Sequence, residues 1–193
     1  MKRCVVLDAM GVIFEAADDV EELLVPFVAE HGGNIENGTV QSAYLQASLG
    51  NIGPDEFWTT VGLSPDLEDA YLNKHRLNPD VPGFLEAATG QGILIWCLSN
   101  DVGRWSVKLR DRFELNRYFS GAVISGDIRI RKPDKGIYRR LVEASGFQPG
   151  EMVFFDDRDK NISAAQRMGI ESRLFTPASG FNGVANLVLG HTL

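Results

Sequence analysis

Short apolar runs recur along the chain, and between them lie stretches in which apolar residues return every three or four positions. The runs predict β-strands near residues 3–8, 92–98, 121–125, 152–156 and 172–175. The stretches between the later runs predict helices at about 102–115, 134–145 and 159–168. Strands that alternate with helices form βαβ units. We therefore expect an α/β protein with a doubly wound parallel sheet.

The segment that follows the first predicted strand, residues 15–80, breaks this alternation and shows helical spacing instead. Its apolar series are Val20, Leu23, Leu24, Phe27 and Val28, followed by Tyr44, Leu45 and Leu49. We expect residues 15–80 to form a small helical domain above the carboxyl ends of the strands. Residues 1–14 and 81–193 would then form the α/β core. The tail from 181 to 189 is expected to be a short helix or an irregular segment.

The composition is that of an ordinary globular protein. The 193 residues are 44% hydrophobic, enough to bury a sizeable core. No stretch approaches the roughly 18 apolar residues of a membrane span, and no signal peptide is recognisable. Cys4 and Cys97 fall inside predicted strands without a zinc-like spacing, so we expect buried thiols in a reducing compartment. These features predict a cytoplasmic protein that does not enter membranes.

Charge is distributed unevenly along the chain. Residues 11–73 contain twelve acids and no Lys or Arg, whereas residues 74–193 contain 17 bases and 13 acids. An acidic insert argues against nucleic acid as a partner and places anion-binding groups in the remainder of the chain. We therefore expect a small-molecule substrate, while the oligomeric state is not readable from the sequence.

Polar side chains stand at the ends of several predicted strands. Asp8 ends the first run, Ser99 and Asn100 follow the second, and Asp156 and Asp157 end the fourth. In open α/β sheets ligands bind at the carboxyl ends of the strands, where Asp8 is placed to act as a covalent nucleophile. A structural alternative stands beside this, since Ser and Asp also cap helices.

Four segments, in this order, resemble the motifs of the haloacid dehalogenase (HAD) superfamily. They are Cys4-Val5-Val6-Leu7-Asp8 with Gly11, Leu98-Ser99-Asn100, Arg131-Lys132-Pro133-Asp134, and Val153-Phe154-Phe155-Asp156-Asp157 followed by Asn161, Ala165 and Gly169. The resemblance covers nearly the whole chain. It implies a Rossmann-like core with a cap domain inserted directly after the first motif, at residues 15–80.

The resemblance also implies a magnesium-dependent hydrolase of a small phosphate ester. Asp8 would attack phosphorus and form an aspartyl-phosphate, a reaction between two anions that needs a bound cation. Mg²⁺ suits this need because it takes a few carboxylates, waters and substrate oxygens as ligands. Its protein ligands would be the Asp8 carboxylate, the backbone carbonyl of Met10 and Asp157.

The remaining motif residues take supporting roles under the same resemblance. The Ser99 hydroxyl and the backbone amide of Asn100 would hold phosphoryl oxygens. Lys132 would supply a fixed positive charge against Asp8 and the phosphoryl group, with Arg131 as a competitor for that role. Asp156 would orient metal-bound water or Lys132 from behind the metal ligands, and Asn161 would either close the start of its helix or brace the metal ligands. Asp134 is a candidate helix cap.

Met10 is the main departure from the family's pattern. Phosphatases of the family carry an aspartate two residues after the nucleophile, which protonates the leaving oxygen and then activates water. Such proton transfer contributes about 10²–10⁴ in rate, and a thioether provides neither step. The chain is then a slow or specialised phosphatase, a carbon–halogen or carbon–phosphorus hydrolase, or a protein that binds a ligand or partner without turnover.

The carbon–halogen and carbon–phosphorus alternative fits the sequence less well than the others. Dehalogenases of the family use a cap arginine and lack the paired metal-binding acids, and the phosphonate-cleaving members use a cap lysine. This chain has neither base between residues 11 and 73, and Asp156 and Asp157 are both present. We therefore predict a magnesium-dependent phosphoryl hydrolase with a compromised acid/base position, with a non-enzymatic binding protein as the alternative.

Overall fold

The computed structural model describes residues 4–190, so Arg3 of the first predicted strand lies outside the described residues. Its strands are β1 (Cys4–Leu7), β2 (Leu94–Ser99), β3 (Phe119–Ile124), β4 (Met152–Asp156) and β5 (Glu171–Leu174). All neighbouring strands pair in parallel, in the order β3-β2-β1-β4-β5. The chain therefore winds to one side of β1 and then to the other, which confirms the expected doubly wound α/β architecture. The change of direction beside β1 is where such sheets form a ligand crevice.

Helices connect the strands and form the insert. Those between β1 and β2 are α1 (Val25–Glu30), α2 (Thr39–Ser48), α3 (Pro54–Thr60), α4 (Glu68–Leu72) and α5 (Val81–Gly90). Those that follow β2 are α6 (Gly103–Arg112), α7 (Ser125–Ile128), α8 (Lys135–Ser145), α9 (Asp159–Arg167) and α10 (Gly180–Val188). Within residues 4–190, none of these helices is long and apolar enough to cross a lipid bilayer.

Side chains of β1 alternate between two hydrophobic cores. Val5 and Leu7 belong to the core on one face of the sheet, and Cys4 and Val6 belong to the core on the other. All four are buried, as expected for a central strand of a parallel sheet covered on both faces. Cys97 of β2 is buried as well, and both thiols are free, as the sequence predicts.

Most predicted boundaries agree with the structure, and α6 differs. The sequence predicts this helix to residue 115, whereas it ends at Arg112. Glu114 adopts a left-handed backbone with φ of +54°, which an α-helix cannot include. The tail prediction is resolved in favour of a helix, α10, whose Phe181 packs against Phe84 of α5.

The insert leaves and rejoins the core at adjacent points. Phe14 and Leu77 form an antiparallel bridge, and the Glu15 backbone N–H donates to the Arg76 carbonyl at 3.0 Å. Between these points a π-helix, Val20–Leu24, runs into α1, and α2 to α4 follow. Leu45, one of the residues that carry the helical spacing of the insert, is 43% exposed. It lines a cavity that the insert shares with the core.

Candidate active site

The carboxyl ends of the three central strands bring the predicted site residues together. Asp8 directly follows β1, and its backbone N–H donates to the Phe155 carbonyl of β4 at 2.9 Å. Ser99 is the last residue of β2 and Asp156 the last of β4, the two strands that flank β1. Parallel pairing therefore places these three side chains at one edge of the sheet.

Lys132 is the centre of this cluster. Its Nζ lies 2.7 Å from Asp8 Oδ1 and 2.7 Å from Asp156 Oδ2, and it donates to the Leu98 carbonyl at 2.8 Å. The side chain is 1% exposed. Buried charge of this kind is tolerated only when it is paired and fully hydrogen-bonded, and here both conditions hold.

Arg131, the competing base in the sequence, points elsewhere. Its guanidinium donates to the Ser48 hydroxyl of α2 and lies 5.7 Å from the centre of the Tyr44 ring. Lys132 is therefore the base that contacts Asp8, and Arg131 connects the core to the insert.

Protonation in the cluster follows from burial and charge together. Burial alone would lower the pKa of Lys132, but the Asp8 and Asp156 carboxylates outweigh it and the pKa is raised. Burial raises the pKa of Asp8 well above its usual range, although Lys132 opposes the shift. For Asp156, the burial penalty is exceeded by Lys132 and further hydrogen bonds, so its pKa is lowered. Lys132 thus carries its charge between the two acids.

Asp156 is held from several sides. Asn161 Nδ2 donates to both of its carboxylate oxygens, at 2.9 and 3.0 Å, and the Arg158 backbone N–H donates to Oδ1 at 2.9 Å. With Lys132 on Oδ2, both oxygens already have protein partners. Asp156 therefore serves to orient its neighbours, and Asn161 of α9 braces it.

Asp157 differs because one of its oxygens has no such partner. Oxygen atoms of Asp8, Asp156 and Asp157 lie within 4.8 Å of one another. Asp157 Oδ1 is buried and has no hydrogen-bond partner among residues 4–190, although Arg158 Nε lies 4.0 Å from it. Burial, and then the Asp156 charge, raise the pKa of Asp157. An orphaned buried carboxylate oxygen beside a second acid is what a hard divalent cation would satisfy, so the donor set fits Mg²⁺.

Gly11 makes room for this arrangement. Its φ is +75°, and a Cβ added there would lie 2.6 Å from Asp157 Oδ2. A side chain at position 11 would therefore both strain the backbone and collide with Asp157. The glycine three residues after Asp8 lets the β1 loop lie directly against the acid pair.

Ser99 and Asn100 lie beside Lys132 but in different ways. Ser99 Oγ is buried without a hydrogen-bond partner among the described residues. Its alternative role as a helix cap is wrong, since the N-cap residue of α6 is Val102. The Asn100 side chain bonds both backbone groups of Lys132, accepting from N at 2.7 Å and donating to O at 3.0 Å. This support of the Lys132 loop was not predicted, because it joins residues 32 positions apart.

Asp134 and Asp156 are both candidate helix caps, and the structure gives them different roles. Asp134 caps α8, since its carboxylate accepts from the Gly136 backbone N–H at 2.6 Å. Asp156 accepts from the Arg158 backbone and so supports the start of α9, although Arg158 is the N-cap residue. A structural role at the helix start and a site role therefore coexist in Asp156.

A cavity of about 390 Å³ opens above this cluster, between the core and the insert. The core contributes bases to its wall, among them Arg131, Lys132, Arg158 and Lys160. The insert contributes acids, which are Asp18, Asp19 and Glu21, together with Gln41, Tyr44 and Leu45. The sequence predicts the charge division but not which insert residues face the cavity, since this depends on how the insert folds over the sheet.

Met10 lies in the wall of the same cavity and is 8% exposed. The residue two positions after Asp8 therefore lies at the site, packs with the core and carries no ionisable group. Asp19 is the most buried of the insert's acids that line this cavity, at 6% exposed. Burial, and then the neighbouring Asp18 charge, raise its pKa to about 6.

Comparisons with known proteins agree with this geometry. A phosphorylated carbohydrates phosphatase of Thermotoga maritima is 29% identical over 94 residues, 49% of this chain and 44% of that protein. A sesquiterpene phosphatase of Aspergillus oryzae is 27% identical over 143 residues, 69% of this chain and 73% of that protein. The matched segment thus spans less than half the length of the Thermotoga relative.

Solved structures of other proteins have the same fold as this chain. A HAD family enzyme of Bacteroides thetaiotaomicron, crystallised with magnesium and inorganic phosphate, superposes with a TM-score of 0.81 at 20% identity. The superposition covers 95% of this chain and 99% of that one. A family model for haloacid dehalogenase-like hydrolases matches residues 2–169. With this match over most of its length, the chain belongs to the haloacid dehalogenase-like hydrolase family.

Proposed function

We propose that this chain is a magnesium-dependent phosphatase that hydrolyses a small phosphate ester through an aspartyl-phosphate on Asp8. The observation that carries the proposal is the cluster at the sheet edge. It joins Asp8, a lysine 2.7 Å away and the orphaned oxygen of Asp157. The phosphatase names of the curated relatives support the choice of a phosphoryl group over other substrates.

Each residue of the cluster has a task in this reaction. Asp8 is the nucleophile, and Lys132 offsets negative charge on Asp8 and on the phosphoryl oxygens. The unpartnered Ser99 hydroxyl donates to a phosphoryl oxygen, as does the backbone amide of Asn100. Asp156 and Asn161 hold Lys132 in place.

Mg²⁺ would be held by the Asp8 carboxylate, the Met10 backbone carbonyl and Asp157. When bound, the cation offsets the repulsion between the attacking carboxylate and the phosphoryl group. Asp156 stays outside its ligands because both of its oxygens already accept hydrogen bonds from protein groups.

Residues 15–80 act as a cap in this proposal and select the substrate. Acids of the insert face the cavity opposite the bases of the core. The phosphoryl group binds at the basic side, and the leaving group faces the acids, together with Leu45. A neutral or cationic leaving group therefore fits better than a second anion.

A turnover assay with matched variants tests the proposal. We would measure release of phosphate from a panel of phosphate esters, and of halide from a haloacid, with Mg²⁺ and with a chelator. Phosphate release that requires Mg²⁺ and disappears in Asp8→Asn is expected. Halide release, or equal phosphate release by Asp8→Asn, would contradict it. Calorimetric titration should show Mg²⁺ binding to the wild type but not to Asp157→Ala, and equal affinities would remove Asp157 from the ligands.

A second candidate is a protein that binds a phosphorylated ligand without turning it over. Met10 favours it, because the position that supplies the proton in related phosphatases carries a thioether here. Binding of Mg²⁺ and of phosphate is expected of both candidates. Turnover of an activated aryl phosphate separates them, since only the first hydrolyses it.

A further inference from the structure

The proposed reaction needs a proton for the leaving oxygen, and Met10 cannot provide one. Four acids in the described part of the chain line the cavity above Asp8, namely Asp8 itself, Asp18, Asp19 and Glu21. Asp8 is the nucleophile. A proton donor for the leaving group must therefore come from another group in the cavity wall, and three acids are available.

Two of these three acids, Asp18 and Glu21, already have hydrogen-bond or ion-pair partners and are exposed to solvent. Asp18 is 48% exposed, lies 3.5 Å from Arg158 Nη2 and accepts from the Glu21 backbone N–H at 3.3 Å. Glu21 is exposed, and its carboxylate accepts from Gln41 Nε2 at 2.8 Å. Both carboxylates therefore already have partners in the folded chain and face solvent.

Asp19 has a different environment, since it is 6% exposed. Asp19 lines the cavity wall, and the buried Tyr71 hydroxyl donates to its Oδ2 at 3.4 Å. The hydroxyl of Tyr44, another residue of that wall, donates to the Asn100 carbonyl at 3.1 Å, and burial raises its pKa well above the usual range. Tyr44 is therefore a poor proton donor, and Asp19 is the buried carboxyl among the three.

The backbone before Asp19 is anchored to the floor of the site. The Gly11 N–H donates to the Ala16 carbonyl at 2.8 Å, and Arg158 Nη2 donates to the Ala17 carbonyl at 3.2 Å. A Cβ at Gly11 would lie 3.2 Å from the Ala17 Cα and 2.6 Å from Asp157 Oδ2. The segment that carries Asp19 thus packs directly on the loop of Asp8 and on the acid pair. Asp19 is therefore part of the site wall in the folded chain.

We propose that Asp19 is a catalytic residue that performs the proton transfers for which Met10 has no group. This inference rests on the proposed phosphatase function. In the first step Asp8 forms a bond to phosphorus, the ester P–O bond breaks, and the leaving oxygen takes the proton of the Asp19 carboxyl. In the second step the oxygen of a water molecule attacks phosphorus, and the Asp19 carboxylate takes a proton from that water. The Asp8–phosphorus bond breaks, phosphate leaves, and Asp19 is protonated again.

The electrostatic surroundings of Asp19 suit this cycle. A pKa of about 6 lets both protonation states be populated near neutral pH, as a residue that alternates between acid and base requires. The titratable and charged groups around it are Asp18 beside it, Tyr71 of α4, Tyr44 of α2, Asp101 after β2 and Arg158 before α9.

Hydrolysis of two esters by the Mg²⁺-loaded protein tests the inference. An alkyl phosphate needs a full proton on its leaving oxygen, whereas p-nitrophenyl phosphate does not. Asp19→Asn should lower kcat for the alkyl phosphate by about 100-fold or more and for the aryl phosphate by less than about 10-fold. Glu56→Gln, at an exposed acid of the insert that does not line the cavity, is the matched control and should leave both rates unchanged.

The pH profile gives a second, independent readout. With the alkyl phosphate, the wild-type rate should fall as pH rises through about 6, because the protonated carboxyl is the donor. This limb should be absent in Asp19→Asn. A phosphate ester itself titrates at about pH 6, so the limb is assigned to Asp19 by its loss in the variant. A limb that persists unchanged in Asp19→Asn, or in Asp19→Ala should the first variant not fold, overturns the inference.

The outcomes separate this inference from the proposed function. Equal losses for both esters in Asp19→Asn, with wild-type aryl phosphate turnover intact, would overturn the role of Asp19 and leave Asp8 as the nucleophile. A wild-type protein that hydrolyses neither ester would overturn both.

Discussion

At the residue scale, the site depends on one buried lysine between two buried acids. Lys132 and Asp156 have side chains that are 1% and 0% exposed, and Asp8 is 10% exposed. Such a cluster is stable only while its charges compensate each other, because an unpaired buried charge is strongly unfavourable. Lys132 therefore has a structural role as well as the proposed chemical one.

Lys132→Met should reveal both roles. Removing the ammonium leaves Asp8 and Asp156 buried without a cation, and the free energy of unfolding should fall by about 3–5 kcal/mol. Urea denaturation of the metal-free protein measures this loss. Lys135→Met, which removes an exposed charge three positions away, is the matched control and should change stability by about 0.5 kcal/mol or less. A loss below about 1 kcal/mol for Lys132→Met would contradict the account of the cluster.

Met10→Asp tests whether the missing acid limits turnover. A carboxyl two residues after Asp8 would supply a second proton donor, so hydrolysis of alkyl phosphates should rise by about 10-fold. The gain stays below the full value of general acid catalysis because the new group lacks neighbours that orient it. Activated aryl phosphates should respond little, and Met10→Asn should help neither substrate. An equal rise for both ester classes would show that the effect is not proton transfer.

The sequence predicts part of this site. Asp8, Ser99, Lys132 and Asp157 could be identified from motifs, since each directly follows an apolar strand or precedes a recognisable helix cap. The support of Lys132 by Asn100 and the place of Asp19 in the cavity wall could not. Both depend on contacts that form only when distant loops pack together.

At the element scale, the insert is joined to the core through Glu68. The Glu68 carboxylate lies 2.8 Å from Lys108 Nζ and accepts from Trp105 Nε1 at 2.8 Å. Arg104 also contacts it. Burial would raise the pKa of Glu68, but hydrogen bonds from Arg104, Lys108 and Trp105 outweigh it and lower the pKa. One carboxylate on α4 thus connects to three residues of α6.

Glu68→Gln should weaken this junction. The neutral amide loses the charge that Arg104 and Lys108 neutralise, and we expect the free energy of unfolding to fall by about 1–3 kcal/mol. Hydrogen exchange should increase in α4 more than in β1. Asp69→Asn is the control, because Asp69 contacts the same Lys108 from an exposed position. Equal effects of the two substitutions would show that burial of Glu68 is unimportant.

Element boundaries were predictable where the pattern was strong. β4 coincides with its predicted range, and α8 begins directly after the predicted cap Asp134. The end of α6 was missed because the left-handed backbone at Glu114 is not encoded by a glycine. Helical spacing cannot tell a core face from a cavity wall, and Leu45 of the predicted helical series lines the cavity.

At the scale of the whole molecule, the doubly wound sheet explains why residues far apart in sequence share one site. The direction of winding changes beside β1, and ligand crevices form at such points. This much follows from the order of strands and helices along the chain. The way the insert lies over the sheet does not, since it is set by side-chain contacts such as those of Glu68 and Arg131.

The free energy of unfolding of the whole protein should depend on pH through His75. This residue is 4% exposed and packs edge-on against Phe14 and Tyr71. Burial lowers its pKa from 6.5 to about 4. The unfolded chain therefore binds a proton before the folded one does. The stabilisation is complete above pH 6.5 and is lost as pH falls toward about 4.

Chemical denaturation across this pH range measures the effect. The wild type should lose about 3 kcal/mol more than His75→Leu between pH 7 and pH 4. Parallel curves for the wild type and His75→Leu would contradict the burial of a neutral imidazole.

The central claim is that Asp8 becomes phosphorylated during turnover. Rapid acid quench of the Mg²⁺-loaded enzyme with an aryl phosphate, followed by mass spectrometry of its peptides, measures this directly. We expect one phosphoryl group on the peptide that contains Asp8 in the wild type, and none in Asp8→Asn or when Mg²⁺ is removed. Turnover without a phosphorylated enzyme, or a phosphoryl group on another residue, would contradict it.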